Sequence, residues 1–457
     1  MNKYKTRTIE KSLNSLIGTS PVIMVTGPRQ VGKTTLLNHL VATSREKINY
    51  VSLDNILIRS QAIEDPELFL RNYETPLIID EFQYAPQLLS YIKIKVDNAR
   101  QNEMFGDGKE VGTLYYLTAS QIFNTMEDVS ESLAGRIGIL DLYGFSTREL
   151  ENKEETIFIP DINLLKNKEK VETKATSKIF EKIINGSYPE VNNEKGRNRE
   201  QFYENYIRTY IERDVRQLIN IKEENKFIKF ITSVAARTAQ EYNAFDIAND
   251  IGVDSKTVDE WISILKNTNL IYMLQAYSNN NVQKAIKRPK IYFMDTGLAC
   301  YLTGYVNSET LERSAYNGAI FETYIMSEII KSYTNNGKDP RKRLYYYRDT
   351  NQKEIDLLVF YDNKVYPVEI KKSANPGKIA LKNFEEELLM PRKIWYPEEW
   401  EPIKVDIYFP PNPGEDIGCD MFVSPDDEGY ILSCDLCAGR EGFYWCKHCN
   451  RYRESKK

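Results

Sequence analysis

No run of about 18 apolar residues occurs in the 457-residue chain, so no membrane span is expected. Its first ten residues, Met1 to Glu10, are polar and lack the apolar centre of a secretory signal peptide. Neither charge sign is in large excess: 61 basic against 66 acidic side chains leave a mildly acidic −5, which gives no global pull toward nucleic acid, although local basic patches are compatible with it. Cysteine is scarce, six in all, and four of the six form two CxxC pairs near the C-terminus. That usage argues against a disulfide framework and for metal binding in a reducing compartment, the cytoplasm. No internal repeat is found. What remains is a chain too long for one core, so several domains are expected.

The most informative stretch present is Gly27-Pro28-Arg29-Gln30-Val31-Gly32-Lys33-Thr34, which reads G-x-x-x-x-G-K-T, followed by Thr35. It is the phosphate-binding loop of nucleoside triphosphatases. The context fits. Val22 to Val25 is an apolar, β-branched run suited to a buried strand, and Leu36, Leu37 and Leu40 follow at helical spacing. Strand, glycine loop and helix together aim backbone N–H groups and a helix N-terminus at an anion. Gly27 to Thr35 would bind ATP, with Lys33 at the β- and γ-phosphates and the Thr34 hydroxyl on Mg²⁺.

Pro76-Leu77-Ile78-Ile79-Asp80-Glu81 is a second apolar strand, ending in two acids. Asp80 is placed to hold Mg²⁺ and Glu81 to act as general base on the attacking water. Alone this run is weak evidence, since many strands end in solvated acids; behind a phosphate loop it gains weight. A third strand, Thr113 to Thr118, ends in Ala119-Ser120-Gln121. Those polar groups read equally well as sensors of the γ-phosphate or as an ordinary turn.

The run Asp80-Glu81-Phe82-Gln83-Tyr84-Ala85-Pro86 resembles the DE-hydrophobic-Q-x-x-P signature of a family of prokaryotic AAA+ type ATPases fused to a domain of unknown function, DUF4143. So does Ser132-Leu133-Ala134-Gly135-Arg136, an apolar stretch, then Ser146 to Leu150. Tyr203 to Val215 is similar to the opening of the second domain, and the resemblance covers roughly residues 15 to 375. It implies ATP binding and hydrolysis with Mg²⁺. In that context Arg136 reads as an arginine that stabilises transition-state charge, within the chain or in a neighbouring copy of a homo-oligomer. The competing reading is a surface ion pair.

Beyond a boundary near Glu151, Asn152 to Lys178 is rich in Lys, Glu and Asn and reads as a solvated connection or helical lid. Phe202, Tyr206 and Tyr210 recur every four residues, a stripe that favours core. Ile231–Ala239, Phe245–Asp250 and Ser255–Asn267 read as three helices and Leu270–Leu274 as a strand, together a winged helix-turn-helix. Asp259 and Glu260 stand against Lys256 and Lys266 on its third helix, which favours packing over DNA contact.

Glu322 lies on a helical stretch, Asn317 to Tyr333; Asp356 lies on a strand, Ile355 to Tyr361; Glu369 and Lys371 share one face of the strand Val365 to Lys371. Such a set can bind a divalent metal at Asp356 and Glu369 and activate water against a phosphodiester. The order resembles the PD-(D/E)XK nuclease core, with Ile355 where its proline would stand. An acid-x-lysine strand is otherwise commonly a solvated sheet face. After the Pro410 to Gly414 linker, Cys434, Cys437, Cys446 and Cys449 have the spacing of a tetrahedral Zn²⁺ site.

The expected fold class is α/β. Residues 1–151 form a P-loop AAA+ type ATPase with a parallel sheet, 152–230 a helical lid or connector, and 231–280 a winged helix-turn-helix. Residues 281–400 form an α/β nuclease-like domain, and 401–457 a linker and zinc-ribbon-like tail. The cofactors expected are ATP, Mg²⁺ and Zn²⁺. Three readings stand: an ATP-driven machine acting on nucleic acid, DNA among the partners expected, through the nuclease-like domain; an ATPase switch whose C-terminal half binds a protein partner; and a nucleotide-dependent DNA-binding regulator.

Overall fold

The structure, a computed structural model, describes residues 4–106, 108, 110–120, 133–161, 176–193, 198–210, 215, 224–278, 288–348 and 354–372, and the backbone of three strands beyond them at 404–407, 421–424 and 430–431. The four tail cysteines lie outside the described residues.

The N-terminal part is a five-stranded, all-parallel sheet in the order β2-β3-β4-β1-β5: β1 Val22–Thr26, β2 Asn49–Ser52, β3 Leu77–Asp80, β4 Tyr115–Ala119 and β5 Ile137–Asp141. Parallel strands need covered faces, and the period of two divides their side chains between two cores. Val22, Met24, Leu77, Ile79, Tyr115 and Leu117 face one way. They pack under helices 66–72 and 88–105, which contribute Phe69, Leu70, Leu88, Ile92 and Val96. Ile23, Val25, Ile78, Tyr116 and Leu140 face the other way, with Ile9 and Leu13 of α1 (Ile9–Leu16) and Leu36 and Leu37 of α2 (Lys33–Thr43). This second core does not stop at the sheet. It runs without a break through the helical residues and into the C-terminal sheet.

In the middle of the chain, helices Thr176–Asn185 and Arg199–Tyr210 bury the stripe Phe202, Tyr206 and Tyr210. Asp295 ties this layer together. It accepts from Ser187 N (2.6 Å), Ser187 Oγ (2.8 Å) and Tyr203 OH (2.7 Å), and caps its own helix at Leu298 N. Three helices, Glu224–Ala236, Ala244–Ile251 and Ser255–Asn267, lead into an antiparallel pair, β6 Ile271–Leu274 and β7 Lys290–Phe293. The left-handed Gly252 (φ 70°) closes the second of those helices.

A second sheet has the order β13-β12-β11-β10-β9-β8. Its strands are β8 Leu344–Arg348, β9 Glu354–Tyr361, β10 Lys364–Ile370, β11 Lys404–Ile407, β12 Met421–Ser424 and β13 Tyr430–Ile431. The β9–β10 hairpin turns on Asp362 and Asn363, both left-handed (φ 50° and 60°), the geometry of a two-residue turn that fixes register. Helix α3, Asn317–Asn335, runs from β7 back to β5 and α1.

One expectation is corrected. The stretch after Glu151 reads as solvated, yet Glu155 and Ile159 are buried and Phe158 bonds to α3 at both polar atoms: its N–H donates to Ser332 Oγ (3.0 Å) and its carbonyl accepts from Tyr333 OH (2.8 Å). Few apolar residues suffice where a segment without regular structure is hydrogen-bonded to a buried helix.

Burial raises Glu155 to about 7, against a hydrogen bond from Asn335 Nδ2 (2.7 Å) that lowers it. Its folded pKa lies above its unfolded value. The carboxyl therefore contributes no penalty below pH 4.5, and stability falls as pH rises from there to about 7. The ceiling on that loss is about 3 kcal/mol. In Glu155→Gln the difference in unfolding midpoint between pH 4.5 and pH 7.5 should shrink relative to wild type, as read by thermal denaturation.

Candidate functional site

The phosphate loop sits where β1 ends and α2 begins. Gly27 is at φ 140°, and a Cβ there would lie 1.9 Å from the Leu142 carbonyl oxygen, so only glycine fits. Gly32 precedes α2 at φ 100°, and Gln30 is also left-handed at φ 62°. Pro28 and Val31 are buried, Arg29 half-buried, and Gln30 and Thr35 exposed. Lys33 is buried and folds back on its own loop, donating to the carbonyls of Gly27 and Pro28 at 2.8 Å each.

The carboxylate of Asp80, at the end of β3, meets three hydroxyls. Thr34 Oγ1 lies 3.1 Å from each of its oxygens, Thr118 Oγ1 donates at 2.5 Å, and Tyr50 OH donates at 2.8 Å. Burial and then Asp80 hold the Tyr50 phenol above its ordinary range. Glu81 follows in the left-handed region (φ 55°) with its N–H on Thr118 Oγ1 (2.9 Å). Its Oε2 accepts from Ser120 Oγ (3.2 Å) and from Gln83 Nε2, and Gln83 Nε2 also donates to Ser120 (3.0 Å). The other amide oxygen, Gln83 Oε1, is buried without a partner. The structure thus brings Lys33, Thr34, Asp80, Glu81 and Ser120 to one end of the sheet; Gln121 lies outside the described residues.

Arg136 is not brought there. It precedes β5, where its carbonyl accepts from Val22 N at the start of β1, and its Nε is paired with Asp97 (2.6 Å). The loop lies at the far end of β1, about 15 Å away at the rise of a strand. Arg136 therefore does not reach the phosphates of its own chain, because parallel strands send their first residues to the opposite edge of the sheet.

Two residues without a sequence motif matter here. Arg7 is buried and donates to the loop itself, Nη1 to Val31 O (3.0 Å), and also to Tyr143 O (2.7 Å), Gly144 O (3.3 Å) and Glu149 Oε1 (3.1 Å). Tyr50 lies on a short edge strand whose weak apolar pattern gave no signal.

A second polar centre lies between β7, α3, β9 and β10. The hairpin register sets Asp356 opposite Glu369. Lys371 Nζ bridges them at 3.2 and 3.0 Å, and Ile370 N donates to Asp356 (2.8 Å). Burial, then Asp356, push Glu369 up to about 8, and its Oε1 is buried with no partner. Glu322 stands beside this pair but faces Lys290, which the sequence reading did not single out. Lys290 Nζ is 3.2 Å from Glu322, 2.5 Å from Glu354 and 3.9 Å from Asp356. Tyr292 OH also donates to Glu322 (2.7 Å). Burial and Asp356 raise Glu322 to about 7 despite Lys290. Among the described residues, no three or more His, Cys, Asp or Glu side chains are grouped so as to hold a metal ion.

The parallel sheet, the glycine loop and the acid-ended neighbouring strand define a P-loop nucleotide-binding protein of the AAA type. Family models agree. An "AAA domain" matches residues 19–151, a "Domain of unknown function (DUF8612)" matches 176–309, and a "Domain of unknown function (DUF4143)" matches 317–405. The chain thus carries an AAA domain and, C-terminal to it, a DUF4143 domain. Tyr203 to Val215 falls inside the DUF8612 match, upstream of DUF4143. The chain is 25% identical over 358 residues to uncharacterized proteins of Mycobacterium tuberculosis and Mycobacterium bovis, covering 78% of this chain and 72% of theirs. Among solved structures it is similar to a Walker-type ATPase of Pyrococcus abyssi (TM-score 0.38, 13% identity, 65% of this chain and 93% of that one). It is also similar to the ORC2 protein of Aeropyrum pernix in its ADP form (TM-score 0.28, 14% identity, 71% and 92%).

The two loop glycines differ in a testable way. A methyl at Gly27 meets backbone, whereas at Gly32 the nearest atom is Arg7 Nη1 at 3.9 Å. Gly27→Ala should lose more than about 2 kcal/mol in urea unfolding together with nucleotide binding. Gly32→Ala should lose less, since only its φ is strained.

Proposed function

We propose that the chain hydrolyses ATP at the Gly27–Thr34 loop and that its C-terminal half responds to that turnover. The observation that carries this is the convergence of Lys33, Thr34, Asp80 and Glu81 at one end of a parallel sheet. Thr34 and Asp80 fit a Mg²⁺ ion, since a hydroxyl and a carboxylate already face each other there; when bound, the ion offsets phosphate charge. Lys33 exchanges its two loop carbonyls for phosphate oxygens. Glu81 takes the proton of the attacking water, with Ser120 and Gln83 holding its carboxylate in place. Arg136, remote from its own loop, serves the loop of a second copy in a homo-oligomer.

Lys33→Ala should abolish nucleotide binding or turnover. Glu81→Gln should keep ATP bound and hydrolyse it slowly. Equal turnover in wild type and both variants, measured as phosphate release, would sink the assignment.

A second reading concerns the C-terminal half. Asp356, Glu369 and Lys371 have the chemistry of a nuclease-like centre, and the unpartnered Glu369 Oε1 fits one divalent cation shared with Asp356. The DNA-acting machine rests on this cluster. The protein-binding switch and the DNA-binding regulator rest on the three helices and β6–β7, which have the order of a winged helix. Metal-dependent nicking of DNA, lost in Asp356→Ala while ATPase activity persists, separates the first from the other two. For the tail, the spacing of Cys434, Cys437, Cys446 and Cys449 supports one structural Zn²⁺. Elemental analysis of protein purified without chelator should find roughly one zinc per chain; far less, with the thiols reduced, would remove the tail site.

A further inference from the structure

Pro28 and Val31 of the phosphate loop share the wall of a small cavity with Tyr143, Ser187, Asn269 and Asp295. Its volume is about 10 Å³, room for a single water. Asn269 comes to it from the end of the helix Ser255–Asn267, two residues before β6. Its backbone is left-handed (φ 55°) and closes that helix with two bonds, Asn269 N to Lys266 O and Leu270 N to Leu265 O, each 3.0 Å. That closure accounts for a left-handed residue, and glycine would serve it at least as well. It does not account for the side chain. Asn269 is 8% exposed; its Oδ1 accepts from Tyr143 OH (3.3 Å), and its Nδ2 is buried with no partner. A buried donor without an acceptor is destabilising unless another state of the protein supplies one.

Most acceptors around the cavity are already engaged. Arg7 holds the carbonyls of Val31, Tyr143 and Gly144. Phe145 N holds that of Ser187, and Met294 N that of Leu270. The Asp295 carboxylate receives four donors. The Pro28 carbonyl differs. Its donor is Lys33 Nζ (2.8 Å), the group that a bound nucleotide draws away to its phosphates. Nucleotide binding thus takes a donor from one residue of the cavity wall, while a second residue of the same wall holds a donor with no acceptor.

We propose that Asn269 is a nucleotide-responsive contact: when Lys33 turns to the phosphates, the Asn269 amide donates to the Pro28 carbonyl, directly or through the one water the cavity accommodates. The exchange ties occupancy of the loop to the end of the three-helix unit, inside the DUF8612 match. It rests on the reading that ATP binds at the Gly27–Thr34 loop. Because the bond forms only with nucleotide in place, it contributes to nucleotide affinity. Asn269 is a positioning residue, acting on the phosphates through the loop.

The experiment measures binding of a fluorescent, non-hydrolysable ATP analogue with Mg²⁺ to the full chain. Asn269→Gly keeps the left-handed backbone and removes the amide; it should weaken binding about tenfold, or 1.4 kcal/mol. Asn269→Asp keeps the shape and replaces the donor with an acceptor; it should weaken binding at least as much. Folded variants that bind as tightly as wild type overturn the proposal. Lys33→Ala separates the two readings. If it also binds as tightly as wild type, the loop is not the nucleotide site and the proposal falls with that reading. If Lys33→Ala loses binding while both Asn269 variants keep it, the proposal alone falls. Hydrogen exchange on wild-type protein gives a measurement that needs no variant. The backbone amides of Asn269 and Leu270 should exchange more slowly with the analogue bound, since the helix end is then held to the loop. Unchanged exchange there in protein saturated with the analogue overturns the proposal too.

Discussion

The buried guanidinium of Arg7 is the constraint on which the arrangement turns, because it joins two stretches of chain that are remote from each other in sequence, around Val31 and from Tyr143 to Glu149. It reaches the phosphate loop at Val31, the segment leaving the sheet at Tyr143 and Gly144, and the acid Glu149 that closes a capping box with Ser146. Three carbonyls and a carboxylate satisfy most of its donors, which is how a cation is kept inside a protein. Removing one partner from such a buried pair costs about 3–5 kcal/mol, since the other charge is left without compensation. The loop's backbone is thus anchored by a side chain that precedes the first strand of the sheet.

From this anchor the bonds continue into the C-terminal half. Thr147 N donates to Glu328 (2.7 Å), the Thr147 and Tyr324 hydroxyls meet at 2.6 Å, and Lys331 donates to the Phe145 carbonyl at 3.2 Å. Glu328, Tyr324 and Lys331 all belong to α3, the helix that also carries Glu322. One rigid helix therefore touches the segment held by Arg7 and the carboxylate cluster at Lys290. It supplies a physical connection between the two polar centres; coupling through it requires two arrangements of the helix with different bonds at each end.

The two centres handle buried carboxylates in opposite ways. Asp80 is met by three neutral hydroxyls, which orient it without bringing a cation. The C-terminal cluster carries its own cations, Lys290 and Lys371, and so satisfies most of its charge internally. An orphan oxygen survives only at Glu369.

Much of the first centre was legible in the chain's order of residues, because its chemistry is local. Gly27 to Thr34 must be contiguous to wrap a phosphate, and the apolar run before Asp80-Glu81 marks the strand that delivers them. The β9–β10 pair was also legible, since a period of two fixes which residues share a face and a hairpin fixes what stands opposite. Tyr50, Arg7 and Lys290 were not. Each acts through partners from 24 to 142 positions away, and nothing in a lone tyrosine, arginine or lysine distinguishes a buried bond from a solvated side chain. The sequence by itself determined the loop, the acids and their strands, through backbone conformation and short-range periodicity. Only the tertiary structure decided that Arg136 faces away from its own loop and that Lys290 fills the carboxylate cradle, because strand order and domain packing, not spacing along the chain, set which charges share a buried volume.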